Sequence, residues 1–137
     1  MRTLIVHNGA SGFGSDAVYL FERSLLHTGD RCEFRSLAAD WDADEAVAAA
    51  DDLDLVVVPG GHGTVAPPLY ALRRHRAIVC VFPSGTANLF FASLGNSPEP
   101  AALARACRIG RTMECDLGEV GWMGPEGREH RAGFTLM

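Results

Sequence analysis

Short apolar runs alternate with amphipathic stretches along the whole chain. The runs are rich in β-branched residues and predict four buried strands, at residues 3–7, 32–35, 53–58 and 77–82. Between them, apolar residues recur at helical spacing, as Val18, Phe21 and Leu25 do. This alternation indicates an α/β fold, a three-layer, doubly wound and mostly parallel sheet with helices on both faces.

Capping residues predict where the first helices begin and end. Ser15 is placed to cap the first helix, and Gly29 is placed to end it in the left-handed conformation. Asp42 and Glu45 can form an acidic capping box for the next helix. These positions predict a helix after the first strand and another after the second.

The last third of the chain is predicted to contain a helix followed by strands. The helix is expected to be capped by Ser97, to begin at Pro98 and to end at Gly110. Residues 111–120 predict a strand and residues 123–131 a charged, glycine-rich tail. Residues 133–137 resemble the beginning of another strand.

Length and composition exclude several classes of protein for this chain. With 137 residues and 14.7 kDa, the chain has the size of one domain. Its formal charge of −5 argues against a nucleic-acid partner, and no apolar run reaches the ~18 residues that a membrane span needs. All twelve basic residues are arginine, which excludes mechanisms that need a lysine, such as a Walker A phosphate clamp. We therefore expect a globular protein with at most peripheral membrane contact.

Cysteine and acidic residues give no sign of a metal site. The cysteines form no C-x-x-C pair and follow no signal peptide; they are Cys32, Cys80, Cys107 and Cys115. Disulfides and a zinc knuckle are therefore not expected, whereas a reduced, cytoplasmic location is. Seven acidic residues between positions 40 and 54 are predicted to form a solvated helix face rather than a metal site.

Three polar, glycine-containing loops each follow a predicted parallel strand. They span residues 8–14, 60–64 and 84–88. The carboxyl ends of parallel strands share one edge of a sheet, where open α/β folds bind ligands, so these loops are expected to line one crevice. The glycines of the first loop are spaced G-x-x-G-x-G, which differs from the dinucleotide fingerprint G-x-G-x-x-G.

The second and third loops contain groups that can bind an anion. The loop at residues 60–64, Gly-Gly-His-Gly-Thr, can turn backbone N–H groups toward a phosphate and add a threonine hydroxyl. Ser84, Gly85 and Thr86 offer further small donors, and Asn88 can fix the orientation of a ligand. Three such loops at one edge favour a phosphate-bearing ligand over three turns without a ligand.

Four segments together resemble a known family. They are Asn8-Gly9-Ala10-Ser11-Gly12, Gly60-Gly61-His62-Gly63-Thr64, Pro83-Ser84-Gly85-Thr86-Ala87-Asn88, and Gly110-Arg111-Thr112 leading to Asp116-Leu117-Gly118. In order and spacing they resemble the N-P-x-S-G, G-G-D-G-T and P-x-G-T-x-N motifs and the closing segment of the bacterial diacylglycerol kinase catalytic domain. That family is related to the sphingosine kinases and more distantly to the NAD kinases. The resemblance extends nearly from end to end of the chain.

The resemblance implies an ATP-dependent kinase that phosphorylates a lipid hydroxyl. It implies ATP and Mg²⁺ as cofactors, a lipid as the acceptor, and an α/β domain that holds the nucleotide. By position it also implies ten nucleotide-binding residues: Asn8, Ser11, Gly12, Gly60, Gly61, Gly63, Thr64, Gly85, Thr86 and Asn88.

The chain departs from the family at its catalytic acidic position, which His62 occupies. Imidazole is a poor ligand for Mg²⁺, which prefers hard oxygen donors, so no metal-ligating residue is assigned. A protonated His62 could still attract phosphate. Pro67 and Pro68 stand where the family often has Asn-Glu, and they are expected to delay the next helix and weaken its dipole at Thr64.

The second departure from the family is length. Family members are much longer, with a C-terminal β-rich domain that carries the lipid pocket and further catalytic acids. We expect residues 1–122 to form the nucleotide-binding domain and residues 123–137 to begin a β-rich domain that is cut short. Little or no kinase activity is expected of this chain alone, and exposed apolar surface favours a homo-oligomer.

Two other functions stay open. Residues 58–63 also resemble the P-G-G-H-G turn of cysteine hydrolases and chaperones with the glutamine-amidotransferase-like fold, whose nucleophilic cysteine lies at a later strand-to-helix elbow. Cys80 is the candidate, but it lies inside a predicted strand, which favours a buried and unreactive thiol. The other hypothesis is a kinase-like fold kept as a nucleotide sensor or structural module after its acidic residue became His62.

Overall fold

Four parallel strands form the main sheet of the protein. The computed structural model describes residues 1–8, 16–37, 42–61, 65–84 and 88–135. The sheet has the strand order β2-β1-β3-β4. Its strands are β1 (Arg2–Asn8), β2 (Arg31–Leu37), β3 (Leu55–Pro59) and β4 (Ile78–Phe82). The predicted α/β fold with a mostly parallel sheet is confirmed.

Helices cover both faces of this sheet. They are α1 (Ala17–Leu25), α2 (Ala43–Ala46), α3 (Ala66–Leu72), α4 (Leu89–Ser93) and α5 (Pro100–Ile109), with a short 3-10 helix at Ala50–Asp52. Phe34 and Arg35 are neighbours on β2 and therefore point to opposite faces. The Phe34 ring lies 5.6 Å from that of Tyr19 on α1, whereas the Arg35 guanidinium donates to the Ala46 carbonyl at the end of α2. Because α5 packs on α1 and α3 packs on α2, the sheet is doubly wound.

The hydrophobic core lies around the two central strands, β1 and β3. Residues 4–6 and 55–58 are buried, because helices cover these strands on both faces. The predicted helical stripe of Val18, Phe21 and Leu25 is buried against them. Among the described helices, none is long and apolar enough to cross a membrane.

Asp30 ties three parts of the chain together. Its Oδ1 lies 2.7 Å from the N-terminal nitrogen of Met1, and its Oδ2 accepts from Arg108 Nη1 of α5 at 2.7 Å. The hydrogen bond from the N-terminal ammonium, with those from the His27 N–H and Arg108, holds the pKa of Asp30 well below its usual range. This ionic cluster fixes the end of α5 near the turn that precedes β2.

Three expected helix boundaries differ from the structure. Helix α1 ends at Leu25, and Gly29, with φ +91°, lies in the turn that follows instead of ending the helix. Helix α3 begins at Ala66 with Pro67 and Pro68 in its first turn, so the expected delay is wrong. Proline fits there because the first-turn N–H groups of a helix have no intrahelical acceptor. Helix α5 begins two residues later than expected.

An antiparallel hairpin replaces the strand and tail expected near the C-terminus. It consists of β5 (Gly118–Met123) and β6 (Glu129–Phe134), so residues 111–117 are not a strand, and Met123 and residues 129–131 of the expected tail are paired. The polar face of this hairpin contacts α3, where the Tyr70 hydroxyl donates to Glu119 Oε2 at 2.6 Å. The other face carries three half-exposed apolar side chains, Val120, Trp122 and Phe134.

Candidate functional site

The carboxyl ends of three neighbouring strands meet at one edge of the sheet. Strand β1 pairs with β3 and β3 pairs with β4, all in parallel, so the loops that follow them start side by side. From β1 the chain crosses through α1 to β2, and from β3 it crosses through α3 to β4 on the opposite side. The sheet therefore has its topological switch point between β1 and β3, where open α/β sheets have their ligand crevice.

Gly60 joins the second loop to the end of β4. Its N–H donates to the Phe82 carbonyl at 2.7 Å, and both Gly60 and Gly61 are buried. A Cβ atom at Gly60 would lie 2.7 Å from the Phe82 carbonyl oxygen and 2.8 Å from Val81 Cγ1. Glycine is needed here because the backbone at the end of β4 approaches this position closely, which fixes the start of the second loop.

Ser84 presents an unsatisfied hydroxyl at the same edge. It lies two residues after the end of β4, and its buried Oγ has no hydrogen-bond partner in the part of the chain that is described. A buried hydroxyl without a partner costs free energy, so such a group indicates a missing ligand or water. Loop composition singles out Ser84 as a donor, whereas the family motif does not, because Ser84 stands at a variable position of P-x-G-T-x-N.

Asn88 has an unusual backbone at the end of the third loop. Its φ of +47° and ψ of +44° place it in the left-handed region, where it is the one non-glycine residue among those described. It stands at the N-cap of α4, but its side chain does not cap that helix. Asparagine tolerates this conformation better than most residues, and such conformations cluster at binding sites.

The structure describes four of the predicted site residues. Asn8 ends β1, Gly60 and Gly61 follow β3, and Asn88 precedes α4, so they lie on the three loops of this edge. The other predicted positions lie outside the described residues, and their roles stay predictions: Ser11, Gly12, His62, Gly63, Thr64, Gly85 and Thr86.

A comparison with family models identifies the family of this chain. The model of the diacylglycerol kinase catalytic domain matches residues 2–120, which include all four motif segments. The chain belongs to this family. The match confirms the resemblance predicted from the motifs.

The fold of the family appears in a solved structure. A crystal structure of a diacylglycerol kinase from Bacillus anthracis str. Sterne is similar to this chain, with a TM-score of 0.66 and 23% sequence identity. The similarity covers 93% of this chain and 44% of that protein, so this chain spans less than half the length of the structure that it matches. A search of curated proteins finds no match.

The Mg²⁺ ion implied by the family does not fit the donors present here. The segments 8–15, 59–65 and 83–88 contain no aspartate and no glutamate. In the described ranges, no group of three or more His, Cys, Asp or Glu side chains could hold a metal ion. Mg²⁺ in phosphoryl-transfer sites is usually held by one or two carboxylates.

Cys80 is poorly placed to act as the nucleophile of a hydrolase. It lies in the middle of β4 and its side chain is buried. A hydrogen bond with Cys107 and burial both raise the pKa of the Cys80 thiol, which disfavours the reactive thiolate. These observations weigh against the amidotransferase-like alternative.

Proposed function

We propose that this chain is the nucleotide-binding unit of a diacylglycerol-kinase-like lipid kinase. In this proposal, ATP is the phosphoryl donor, a lipid hydroxyl is the acceptor, and the chain alone transfers little or no phosphate. The proposal includes residues 1–122 as the nucleotide-binding part and residues 123–137 as the beginning of a β-rich part.

The observation that carries the proposal is the meeting of three strand ends at the switch point. Asn8, Gly60 and Ser84 follow or end three adjacent parallel strands in a chain of the kinase family. The Ser84 hydroxyl, which has no hydrogen-bond partner among the described residues, supports a ligand with hydrogen-bond acceptors, such as phosphate oxygens.

In this proposal, backbone amides do most of the binding. The three loops contain neither lysine nor arginine, so the groups that can meet a phosphate are N–H groups, small hydroxyls and His62. Such donors position the phosphates through geometry rather than through a full positive charge. Modest affinity for ATP is therefore expected.

The first test measures nucleotide binding by the 137-residue chain. Isothermal titration calorimetry is expected to show binding of ATP and ADP and much weaker binding of adenosine, because phosphates make most of the contacts. Incubation with labelled ATP and diacylglycerol in mixed micelles is expected to give no labelled lipid. Lack of saturable ATP binding at millimolar concentration would overturn the proposal, and labelled lipid would contradict the inactivity of the chain alone.

A pair of serine variants locates the bound phosphates. Ser84→Ala removes a hydroxyl whose net hydrogen bond is worth about 0.5–1.5 kcal/mol, so ATP affinity should fall roughly 2- to 12-fold. Ser24→Ala is the matched control, because the Ser24 hydroxyl is exposed on α1 and donates to the Leu20 carbonyl. Equal ATP affinities of the Ser84→Ala and Ser24→Ala variants would mean that ATP does not bind at this edge of the sheet.

The second candidate function is a nucleotide sensor that binds ATP without transferring phosphate. The absence of acidic residues from the three loop segments favours it. It predicts that excess EDTA or Mg²⁺ leaves the dissociation constant for ATP nearly unchanged in the wild type. His62→Asp adds a carboxylate and should make binding several-fold tighter with Mg²⁺, whereas His62→Asn should not. A wild type that already requires Mg²⁺ would contradict this candidate.

A further inference from the structure

The C-terminal hairpin packs on α3 through one of its two faces. Side chains at alternate positions share a face, and the register of β5 and β6 places Glu119, Arg131 and Gly133 on the same one. The Tyr70 hydroxyl donates to Glu119 Oε2 at 2.6 Å, and Arg131 Nη1 donates to Glu119 Oε1 at 3.2 Å. Tyr70 therefore joins α3 to this face of the hairpin.

Contacts on both sides fix the position of the Tyr70 side chain. On the helix side, the Arg73 guanidinium lies over the Tyr70 ring, with Cζ 3.7 Å from the ring centroid, and Arg73 Nη1 donates to the Tyr70 carbonyl at 2.6 Å. On the hairpin side, a Cβ atom at Gly133 would lie 2.5 Å from Tyr70 Cδ2, so the ring packs directly on the backbone of β6. The hydrogen bond between Tyr70 and Glu119 raises the pKa of Tyr70 and lowers the pKa of Glu119. Near neutral pH the contact is therefore a hydroxyl that donates to an ionised carboxylate.

The start of α3 is joined to the second loop. The Val65 N–H donates to the Gly61 carbonyl at 3.2 Å, directly before the helix begins. Tyr70 lies five residues after Val65, which is roughly 7–8 Å along a helix. Pro67 and Pro68 restrict the backbone of the first turn. A short helix with a restricted first turn therefore connects the second loop to Tyr70.

We propose that Tyr70 is a positioning residue that couples the hairpin to the second loop, so that nucleotide bound at the loop and docking of the hairpin on α3 stabilise each other. This inference rests on the proposed function, because it takes the second loop as part of the nucleotide site. The two states are a hairpin docked on Tyr70 and a hairpin released from it. Such coupling is reciprocal: the factor by which nucleotide favours docking equals the factor by which docking favours nucleotide.

The order of the hairpin is expected to depend on this docking. A two-stranded hairpin is marginally stable by itself in water, so its stability depends on what it packs against. Strand β6 packs on α3, whereas the opposite face of the hairpin leaves about half of Trp122 and Phe134 exposed. The rate of amide hydrogen exchange in β5 and β6 therefore reports whether the hairpin is docked.

The first test compares amide hydrogen exchange of the 137-residue chain with and without saturating ATP. ATP is expected to slow exchange in β5 and β6 by roughly 2- to 12-fold, the factor that corresponds to one net hydrogen bond. Adenosine, which lacks phosphates, should leave the exchange unchanged. ATP binding without any change in the hairpin would overturn this inference and leave the proposed function standing. Absence of ATP binding would overturn both.

Tyr70→Phe tests the coupling through a single hydroxyl. The variant keeps the ring that packs on Arg73 and Gly133, so the fold should be retained. Its affinity for ATP should fall by roughly 2- to 12-fold, and ATP should no longer slow exchange in the hairpin. A hydroxyl that only stabilises the fold would give a different result, with faster exchange in equal measure with and without ATP and an unchanged affinity. That result would overturn the proposal.

Two variants of the hairpin break the same contact from its other side. Glu119→Ala removes the acceptor of the Tyr70 hydroxyl, and Gly133→Ala places a Cβ 2.5 Å from Tyr70 Cδ2. Both should weaken ATP binding as Tyr70→Phe does. Combining Glu119→Ala with Tyr70→Phe should lower the affinity much less than the product of the two single losses, because both changes remove one hydrogen bond. Independent losses would overturn the assignment.

Glu126→Ala is the matched control for Glu119→Ala. The Glu126 carboxylate pairs with a residue of the hairpin itself, with Oε1 2.6 Å from His130 Nε2. The variant loses an exposed carboxylate of the hairpin without losing the contact with α3. It should keep both the wild-type affinity for ATP and the slower exchange that ATP causes. A loss of ATP affinity equal to that of Glu119→Ala would mean that docking on Tyr70 is not the cause.

Discussion

Replacing Gly60 by alanine is expected to weaken ATP binding by roughly tenfold or more and to destabilise the chain by about 1–3 kcal/mol. The new Cβ would lie 2.7 Å from the Phe82 carbonyl oxygen, and that oxygen accepts the hydrogen bond from the Gly60 N–H. A backbone atom cannot rotate away as a flexible side chain can. The ends of β3 and β4 must therefore separate, which moves the second loop relative to Ser84.

Gly121→Ala provides the matched control for this experiment. Gly121 also lies in an extended segment, but a Cβ there would meet its nearest atom at 3.6 Å, an ordinary contact distance. Calorimetric titration with ATP and urea unfolding should show a near-native Gly121→Ala variant. A folded Gly60→Ala variant with wild-type affinity would place the nucleotide away from this edge.

The four strands of the main sheet and the α1 helix could be predicted because local pattern and burial agree in them. The apolar run of β3 is buried on both faces, and the Val18, Phe21 and Leu25 stripe faces the core. The start of helix α5 is harder to predict, because Ser97 and Glu99 each precede a proline and both are suitable helix caps. The Glu99 carboxylate accepts from the Ala101 and Ala102 N–H groups, while Ser97 only accepts from the Glu99 N–H, so the helix begins at the second proline.

The hairpin could not be predicted well because its polar residues have tertiary partners. Glu119 accepts a hydrogen bond from Tyr70, and Arg131 forms ion pairs with Glu119 and Glu129. These contacts stabilise a charged sequence as a strand. The turn residue Gly127, with φ +76°, was visible in the sequence as part of a glycine-rich tail. Contacts with α3, which are distant in sequence, decide between a tail and a strand.

The sheet edge of the candidate site could be predicted from the sequence, but the details of that edge could not. Each of the three glycine-containing loops follows a parallel strand, and the pairing of β1, β3 and β4 brings the ends of these strands to one edge. The sequence contains no signal for the partnerless Ser84 hydroxyl or for the left-handed backbone of Asn88.

Phe21→Ala is expected to lower the free energy of unfolding by about 3–5 kcal/mol. The side chain is fully buried, and its ring packs edge-to-face on Phe82. Small domains have total stabilities of about 5–15 kcal/mol, so this loss would remove a large part of the folding free energy. Urea unfolding measures this loss of folding free energy, provided that the slope of the transition equals that of the wild type.

The same substitution should also affect the site, because Phe82 connects the core to the loops proposed to bind nucleotide. Its carbonyl holds the Gly60 N–H, so a cavity beside the Phe82 ring allows the end of β4 to shift. Phe134→Ala is the matched control, since the Phe134 side chain is half exposed on the hairpin and should cost much less. At a temperature where both variants are folded, Phe21→Ala should bind ATP more weakly than Phe134→Ala. Equal affinities would mean that packing under β4 does not determine the geometry of the loops.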